Sequence, residues 1–177
     1  LILAAVIKAV DEYQDLLRVT CASAGNDHRL GASEAPPAII SMFIGDELEA
    51  ILDSIEKGIP YEAIMAKKME MGVNILPDLA KDTSDRNRTS PFAFTNNKFE
   101  FRMLGSSFSI AGPNLILNTI VAESFSQFSD ILEKADDIES AVLQIIRDTL
   151  AKHKRIIFNG NNYSDEWVEE AKRRGLS

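Results

Sequence analysis

The residues best suited to do chemistry in this chain lie between Lys98 and Arg102, where charged and aromatic side chains alternate. Successive side chains of a β-strand point to opposite faces, so Lys98, Glu100 and Arg102 would share one face. Phe99 and Phe101 would then pack against the core on the other face. The segment is therefore predicted to be a half-buried strand that presents a cation, an acid and a cation on its open face.

The residue types alone leave two interpretations of this charged face open. The simpler one is the solvated face of a half-buried hairpin. The second arises because another basic pair, Arg86 and Arg88, lies shortly upstream, and converging arginines offer paired donors to phosphate or carboxylate oxygens. A carboxylate such as Glu100 among these cations either neutralises them or holds a hard cation such as Mg²⁺. In that case the residues would form an ATP-type site, where a metal and arginines share the phosphate charge.

Helices are predicted to form most of the framework around these segments, because apolar residues recur at helical spacing along much of the chain. The predicted helices cover 1–18, 46–57, about 61–71, 117–135, 138–150 and 164–174, and the predicted strands cover 38–44, 92–94 and 98–103. The last two strands would form a hairpin, and the two longest helices an αα-hairpin. The predicted fold class is α+β, helix-rich, with a small antiparallel β-hairpin.

Several residues mark where these helices are predicted to begin and end. Asp46, Asp136 and Ser164 are the predicted caps, and the first two have a glutamate three residues later, as in a capping box. Gly58 and Gly175 follow the last apolar positions of their helices and are predicted to end them.

Composition excludes some classes of partner. The chain has 177 residues and a net charge of −8, which argues against a nucleic-acid partner, because phosphate binding requires a basic face. No apolar run reaches the roughly 18 residues that span a bilayer, so no membrane partner is expected. One cysteine, Cys21, fits a reducing cytosol and a cytoplasmic location. The start at Leu1, without Met and within a helical pattern, predicts that the natural chain begins upstream.

Three ordered motifs identify a family. The segment 29–36, Arg-Leu-Gly-Ala-Ser-Glu-Ala-Pro, resembles the flap segment of glutamine synthetases. The segment 86–89, Arg-Asn-Arg-Thr, is similar to their arginine-asparagine-arginine-serine motif, and 98–102 resembles their basic-x-Glu-x-Arg strand. The intervening residues 38–84 resemble the long, type III class. The resemblance implies that 1–125 is part of the catalytic domain and 126–177 is the C-terminal helical region of that class.

The resemblance implies roles for residues that contact the amino-acid substrate. Arg29 would hold the carboxylate of glutamate. Glu34, on the flap, would help to remove a proton from ammonium. Arg102 would bind substrate and stabilise the transferred phosphoryl group or the bound glutamyl phosphate.

It also implies roles at the nucleotide. Arg88 would contact the phosphates of ATP, with Arg86 and Lys98 as further phosphate contacts, since this chain has Ser-Pro-Phe-Ala-Phe at 90–94 where the common classes carry another arginine. Glu100 would be a ligand of the Mg²⁺ or Mn²⁺ that bridges the phosphates.

The implied activity is that of an ATP-dependent glutamate–ammonia ligase that works through glutamyl phosphate. The family's other metal-binding residues and its base contacts precede Leu1, so the 177 residues alone are expected to be inactive. The intact enzyme is expected to be a homo-oligomer with active sites between subunits. The alternatives are a non-enzymatic helical interaction module or a pseudoenzyme relative. The ligase would be favoured if one cleft contains the five main site residues, which are Arg29, Glu34, Arg88, Glu100 and Arg102. The module would be favoured if these residues lie on separate faces.

Overall fold

The structure is a computed structural model that describes residues 1–28, 30, 38–61, 89–95 and 97–177, together with the backbone of 68–69 and 79–80. Helices surround a small mixed sheet. The helices are α1 (Ile2–Glu12), α2 (Gln14–Val19), α3 (Ala24–Asp27), α4 (Asp46–Lys57), α5 (Ala111–Leu132), α6 (Ile138–His153) and α7 (Asp165–Arg174), with a 3₁₀ turn at Lys154–Ile156. The strands are β1 (Met42–Phe43), β2 (Lys68–Met69), β3 (Leu79–Ala80), β4 (Phe92–Phe94) and β5 (Phe99–Phe101).

Helix α1 lies at the centre of the core. Its residues Ala5, Ile7, Ala9 and Val10 are fully buried, because α5, α6 and the 3₁₀ turn all pack against the helix. Apolar side chains of α1, β1, β4 and the chain after β5 form one continuous cluster. The core therefore joins the N-terminal helix to the sheet that carries the charged strand.

The main sheet has the order β1-β4-β5. Strand β1 is parallel to β4, and β4 is antiparallel to β5, with Phe92 opposite Phe101 and Ala93 opposite Glu100. Ile157 extends the sheet beyond β1 through an isolated parallel bridge to Met42. Strands β2 and β3 form a separate antiparallel pair.

Helix α5 packs through a narrow stripe. Ile120, Ser124 and Phe128 are at most 4% exposed and are spaced four residues apart, so they lie on one face. The wider predicted stripe is wrong at Phe125 and Ile131, which are 38% and 50% exposed. The buried stripe of α5 covers one face and ends at Phe128, so apolar residues beside it and beyond it stay exposed.

The last helix, α7, is anchored by an aromatic stack. Trp167 is 1% exposed, and its ring lies parallel to that of Phe158 with 3.8 Å between centroids. The guanidinium of Arg174 lies 5.5 Å from the Trp167 ring centroid. A Cβ atom at Gly160 would lie only 2.5 Å from the Phe158 ring, so this glycine leaves room for the stack.

A buried carboxylate connects the first helix to the C-terminal part. Asp11 on α1 is 3% exposed, and it accepts a hydrogen bond from Arg155 Nε at 2.8 Å and contacts His153 Nδ1 at 2.9 Å. Arg155 also donates through Nη1 to the carbonyl oxygens of Arg174 and Gly175. The Asp11 carboxylate therefore organises the junction of α1, the 3₁₀ turn and the end of α7.

The α+β fold class and most predicted elements are confirmed. Ser164 caps α7 through its side chain, and Gly58 and Gly175 end their helices in the left-handed conformation at φ 66° and 69°. The predicted caps at Asp46 and Asp136 are wrong, because Gly45 precedes α4 and Asp137 caps α6.

The helix predicted near 61–71 is also wrong at 68–69, where β2 pairs with β3, and 62–67 and 70–71 lie outside the described residues. In the described part of the chain, no helix combines the length and apolar character needed to cross a membrane.

Replacing Asp11 by alanine is expected to lower the free energy of unfolding by about 2–3 kcal/mol, since two donors, one of them charged, lose a buried acceptor. Urea denaturation of the 177-residue chain, followed by circular dichroism, measures this change. Asp130→Ala, at an exposed site on α5, serves as the control and is expected to change stability by no more than about 0.5 kcal/mol. Equal effects of the two substitutions would contradict the structural role of Asp11.

Candidate active site

The aromatic face of the β4–β5 hairpin holds its charged face in place. Phe92 lies 5.8 Å from Phe99 and 5.9 Å from Phe101 between ring centroids, and Phe94 lies 4.9 Å from Phe99. Met103, which follows the strand, is fully buried. Because these side chains pack against the core cluster, the alternate residues of β5 and its flanks must face the other way.

That other face carries a continuous ion-pair triplet. Glu100 Oε1 lies 2.8 Å from Lys98 Nζ, and Glu100 Oε2 lies 2.7 Å from Arg102 Nη2 and 3.0 Å from Arg102 Nε. Each carboxylate oxygen therefore has its own cationic partner. The triplet carries one net positive charge on a chain whose overall charge is −8.

The flanking cations keep Glu100 ionised. Hydrogen bonds from Lys98 and Arg102 lower the pKa of the Glu100 carboxyl from 4.5 to about 2. At neutral pH this carboxylate can accept hydrogen bonds or ligate a cation, but it cannot act as a proton donor.

The three side chains differ in how freely they can exchange partners. Lys98 is 63% exposed, Glu100 30% and Arg102 16% as side chains. An exposed lysine can leave an ion pair at little cost, whereas the half-buried Arg102 is fixed beside the carboxylate. Oε1 of Glu100 is therefore the oxygen that becomes available when Lys98 turns to another anion.

Two contacts outside the hairpin fix the end of β5. Asn26, in α3, donates from Nδ2 to the carbonyl oxygen of Met103 at 2.6 Å, and the Arg102 amide donates to the carbonyl oxygen of Pro91 at 2.7 Å. The first contact brings the chain that leads to Arg29 next to Arg102. The second brings the chain that follows Arg88 to the same end of the strand.

A buried polar network supports the start of β4 from behind. Asn162, 6% exposed, accepts a hydrogen bond from Ser41 Oγ at 2.5 Å and donates to Ser90 Oγ at 3.4 Å. Nearby, Asn159 Oδ1 accepts from the amides of Ile44 and Gly45, both at 2.9 Å. The turn before α7 therefore positions the chain at both β1 and β4.

The structure brings together three of the predicted site residues: Lys98, Glu100 and Arg102. The other four lie outside the described residues: Arg29, Glu34, Arg86 and Arg88. Their roles, and the expectation that all the site residues share one cleft, stay predictions.

The described residues supply only part of a metal site. Glu100 offers carboxylate oxygens of the kind that Mg²⁺ prefers, but no three potential metal ligands among His, Cys, Asp and Glu converge in the described part of the chain. Glu100 therefore fits a metal as one ligand among several. Cys21 offers no nucleophile, because burial raises the pKa of its thiol and keeps it protonated at neutral pH.

Sequence reasoning missed the two buried asparagines, Asn26 and Asn162. Each joins segments far apart in the chain, and residue type and spacing carry no information about such pairs. A weak signal was available at 159–162, where three asparagines surround a glycine in a stretch predicted only as a turn. At Asn26 the one sign was its position three residues before Arg29.

Comparison with known proteins identifies the family of the chain. A family model described as the glutamine synthetase C-terminal domain matches residues 141–177. The chain is 51% identical to a type-3 glutamine synthetase from Dictyostelium discoideum, over 100% of this chain and 24% of that protein. It is 49% identical to a glutamine synthetase from Butyrivibrio fibrisolvens, over 98% and 25%, and 41% identical to one from Bacteroides fragilis (strain YCH46), over 97% and 25%.

The identity to these three proteins along nearly the whole chain shows that it belongs to the glutamine synthetase family. It spans about a quarter of the length of the curated relatives it matches. Within the family its resemblance is to the type III class, since one relative bears that class name and the match includes the long segment 38–84.

Replacing Glu100 by glutamine is expected to change stability in a pH-dependent way. The pKa of Glu100 lies below its ordinary value in the folded chain, so the charge contributes its full stabilisation above pH 4.5 and loses it as the pH falls towards 2. The difference in free energy of unfolding between wild type and Glu100→Gln, at most about 1 kcal/mol for a partly exposed pair, should shrink over that interval.

Urea denaturation between pH 2 and 7 measures this difference, and added salt should reduce it. Glu123→Gln is the control, because the described hydrogen bond of that exposed carboxylate is to the neutral amide of Gln127. A Glu100→Gln difference that stays constant down to pH 2 would exclude the ion pairs as its cause.

Proposed function

We propose that this chain is part of an ATP-dependent glutamate–ammonia ligase, which forms glutamine, ADP and phosphate from glutamate, ammonia and ATP through glutamyl phosphate. The names of the relatives support this proposal, and the single observation that carries it is the Lys98–Glu100–Arg102 triplet on β5. An exposed lysine and a half-buried arginine flank an ionised carboxylate. This is the arrangement needed to bind phosphate oxygens and a bridging cation together.

Lys98 and Arg102 would have different roles, because their side chains differ in exposure. Arg102 is held beside Glu100 at 2.7 Å, so its charge would keep a fixed position near a bound phosphoryl group. Lys98, which is mostly exposed, can turn from Glu100 Oε1 to a phosphate of ATP. Positive charge then faces the phosphoryl oxygens as negative charge builds up on them.

A divalent cation, Mg²⁺ or Mn²⁺, would neutralise phosphate charge when bound. Glu100 would be one of its ligands through Oε1, the oxygen that Lys98 vacates, and further ligands would come from outside the described residues. The low pKa of Glu100 keeps this oxygen unprotonated over the physiological pH range.

The remaining site residues are assigned from the family resemblance. Arg29 would bind the carboxylate of glutamate, and Glu34 would accept a proton from ammonium before ammonia attacks the acyl phosphate. Arg88 would bind ATP phosphates, with Arg86 as a second contact. The contacts of Asn26 and Pro91 with the end of β5 support this assignment, since they lead along the chain to Arg29 and from Arg88.

The proposal also covers domain organisation and assembly. Residues 1–125 would belong to the catalytic domain and 126–177 to the C-terminal helical region, with α5 running through both. The intact enzyme would be a cytoplasmic homo-oligomer with active sites between subunits. The outer face of α5 supports an assembly contact, because Leu115 and Phe125 are 67% and 38% exposed and the only charged residues of α5 are two acids.

The test is an assay of the full-length protein that contains this chain. Glutamine, detected by mass spectrometry, should form only when glutamate, ammonium, ATP and a divalent cation are all present. Arg102→Ala is expected to lower kcat about 100-fold or more, as loss of a charge-stabilising donor does in other enzymes. Arg173→Ala is the matched control, because Arg173 is 79% exposed on α7 and pairs with Glu170.

Absence of glutamine formation by the folded full-length protein would contradict the ligase and favour the interaction module or a pseudoenzyme. Equal kcat values for the Arg102→Ala and Arg173→Ala variants would remove Arg102 from the site while leaving the reaction in place.

The 177 residues alone are expected to form no glutamine under the same conditions. The described residues supply one ligand where a Mg²⁺ site needs several, and the family resemblance assigns the other ligands to the rest of the protein. The same assay with the purified chain measures this. ATP-dependent glutamine formation by the chain alone would contradict the assignment of the missing ligands to the rest of the protein.

A further inference from the structure

We infer that Asn26 is a positioning residue that holds α3, from which the chain runs on to the proposed glutamate-binding residue Arg29, beside Arg102 at the end of β5. This inference rests on the proposed function and adds a residue that none of the three motifs contains. It makes the affinity for glutamate, rather than for ATP, depend on one buried amide.

The Asn26 side chain has a defined orientation and no water access. The residue is 3% exposed, its Oδ1 accepts a hydrogen bond from Ser23 Oγ at 2.9 Å, and its Nδ2 donates to the Met103 carbonyl oxygen at 2.6 Å. The serine hydroxyl distinguishes the two ends of the amide, so that the NH₂ group must face Met103. Asn26 and Met103 are 77 residues apart in the chain.

Both ends of this contact are themselves fixed. On one side Ser23 caps α3 by accepting from the Asn26 backbone amide, and Asp27 pairs with Arg18 of α2. On the other side Met103 is fully buried and directly follows Arg102. The hydrogen bond therefore joins a capped helix to a fully buried residue, so a change at Asn26 can alter the position of one relative to the other.

The direction of the chain decides which substrate is affected. From Asn26 the chain runs through Asp27 and His28 to Arg29, the residue proposed to hold the carboxylate of glutamate. The segment that follows Arg88 has a further support that does not involve Asn26, since Ser90 Oγ accepts a hydrogen bond from Asn162. A change at Asn26 should therefore move α3 and His28 relative to Arg102 more than it moves the segment that enters β4.

The decisive variant is Asn26→Asp in the full-length protein. It has nearly the same shape and keeps an acceptor for Ser23, but it places a carboxylate oxygen against the Met103 carbonyl oxygen, where no hydrogen bond can form. The KM for glutamate is expected to rise about tenfold, which corresponds to about 1.4 kcal/mol, and the KM for ATP should stay within about twofold of wild type. Ser23→Ala, which removes only the orienting hydroxyl, should raise the KM for glutamate by about threefold.

Two further variants separate positioning from a loss of stability. Asn118→Asp makes the same change in an exposed amide of α5 that also donates to a backbone carbonyl, and it should leave both KM values unchanged. Asn162→Asp disturbs a buried amide that supports β4 and should raise the KM for glutamate much less than Asn26→Asp does. If Asn162→Asp raises this KM as much as Asn26→Asp does, or if Asn26→Asp raises both KM values equally, the inference is wrong.

Hydrogen exchange provides a readout that does not need catalysis. The amides of Asp27, His28 and Leu30 donate to carbonyl oxygens of Ser23, Ala24 and Gly25, and in the Asn26→Asp protein they should exchange faster than in wild type. An inactive wild type would contradict the proposed function, whereas an active wild type with an unchanged KM for glutamate in Asn26→Asp would contradict only this inference. Unchanged exchange at these three amides would contradict the geometric link itself.

Discussion

The period-two alternation of β5 is the constraint on which the candidate site depends. Phe99 and Phe101 pack against Phe92 and the core, and this packing leaves Glu100 and its flanking cations a single common face. A shift of one residue in the pairing with β4 would bury the charges and expose the rings, which is unfavourable in both respects. Packing on the apolar face of β5 therefore sets the position of the charged side chains on the opposite face.

Hydrogen bonds of two buried asparagines connect this hairpin to segments that are distant in the chain. Asn26 joins α3 to the end of β5, and Asn162 joins the turn before α7 to the chain that enters β4. Buried amides suit this purpose because each offers both donors and an acceptor, and because a buried polar group without partners is costly. The C-terminal helices therefore contribute to the site's geometry without supplying a group to it.

The elements that sequence reasoning predicted correctly are those determined by local chemistry. The β4–β5 hairpin follows from alternation, and Gly58 and Gly175 end their helices because they adopt left-handed backbone conformations at low cost. The start of α4 was predicted at the wrong residue because a distant side chain decides it. Asn159 binds the amides of Ile44 and Gly45, so the chain enters the helix one residue earlier than the Asp46 pattern indicated.

The same distinction applies to the candidate site. Neighbours on one strand face, such as Lys98, Glu100 and Arg102, could be grouped from their spacing, and the structure shows their ion pairs. The contact between Asn26 and Met103 spans 77 residues and depends on how α3 packs, which no local pattern encodes. Family resemblance assigned roles to Arg29, Glu34, Arg86 and Arg88, but it contains no information about the buried amides behind such residues.

Gly160 has no Cβ atom, and the lack of space beside it limits which residues can occupy this position. The Phe158 ring cannot move away from an added Cβ without losing its parallel contact with Trp167, which is the main apolar anchor of α7. Even alanine at position 160 would therefore weaken the packing of α7. The contacts of Arg155 with the end of α7 and with Asp11 would weaken with it. Natural variants should tolerate change on the solvent side of α7 far more readily than at this one turn position.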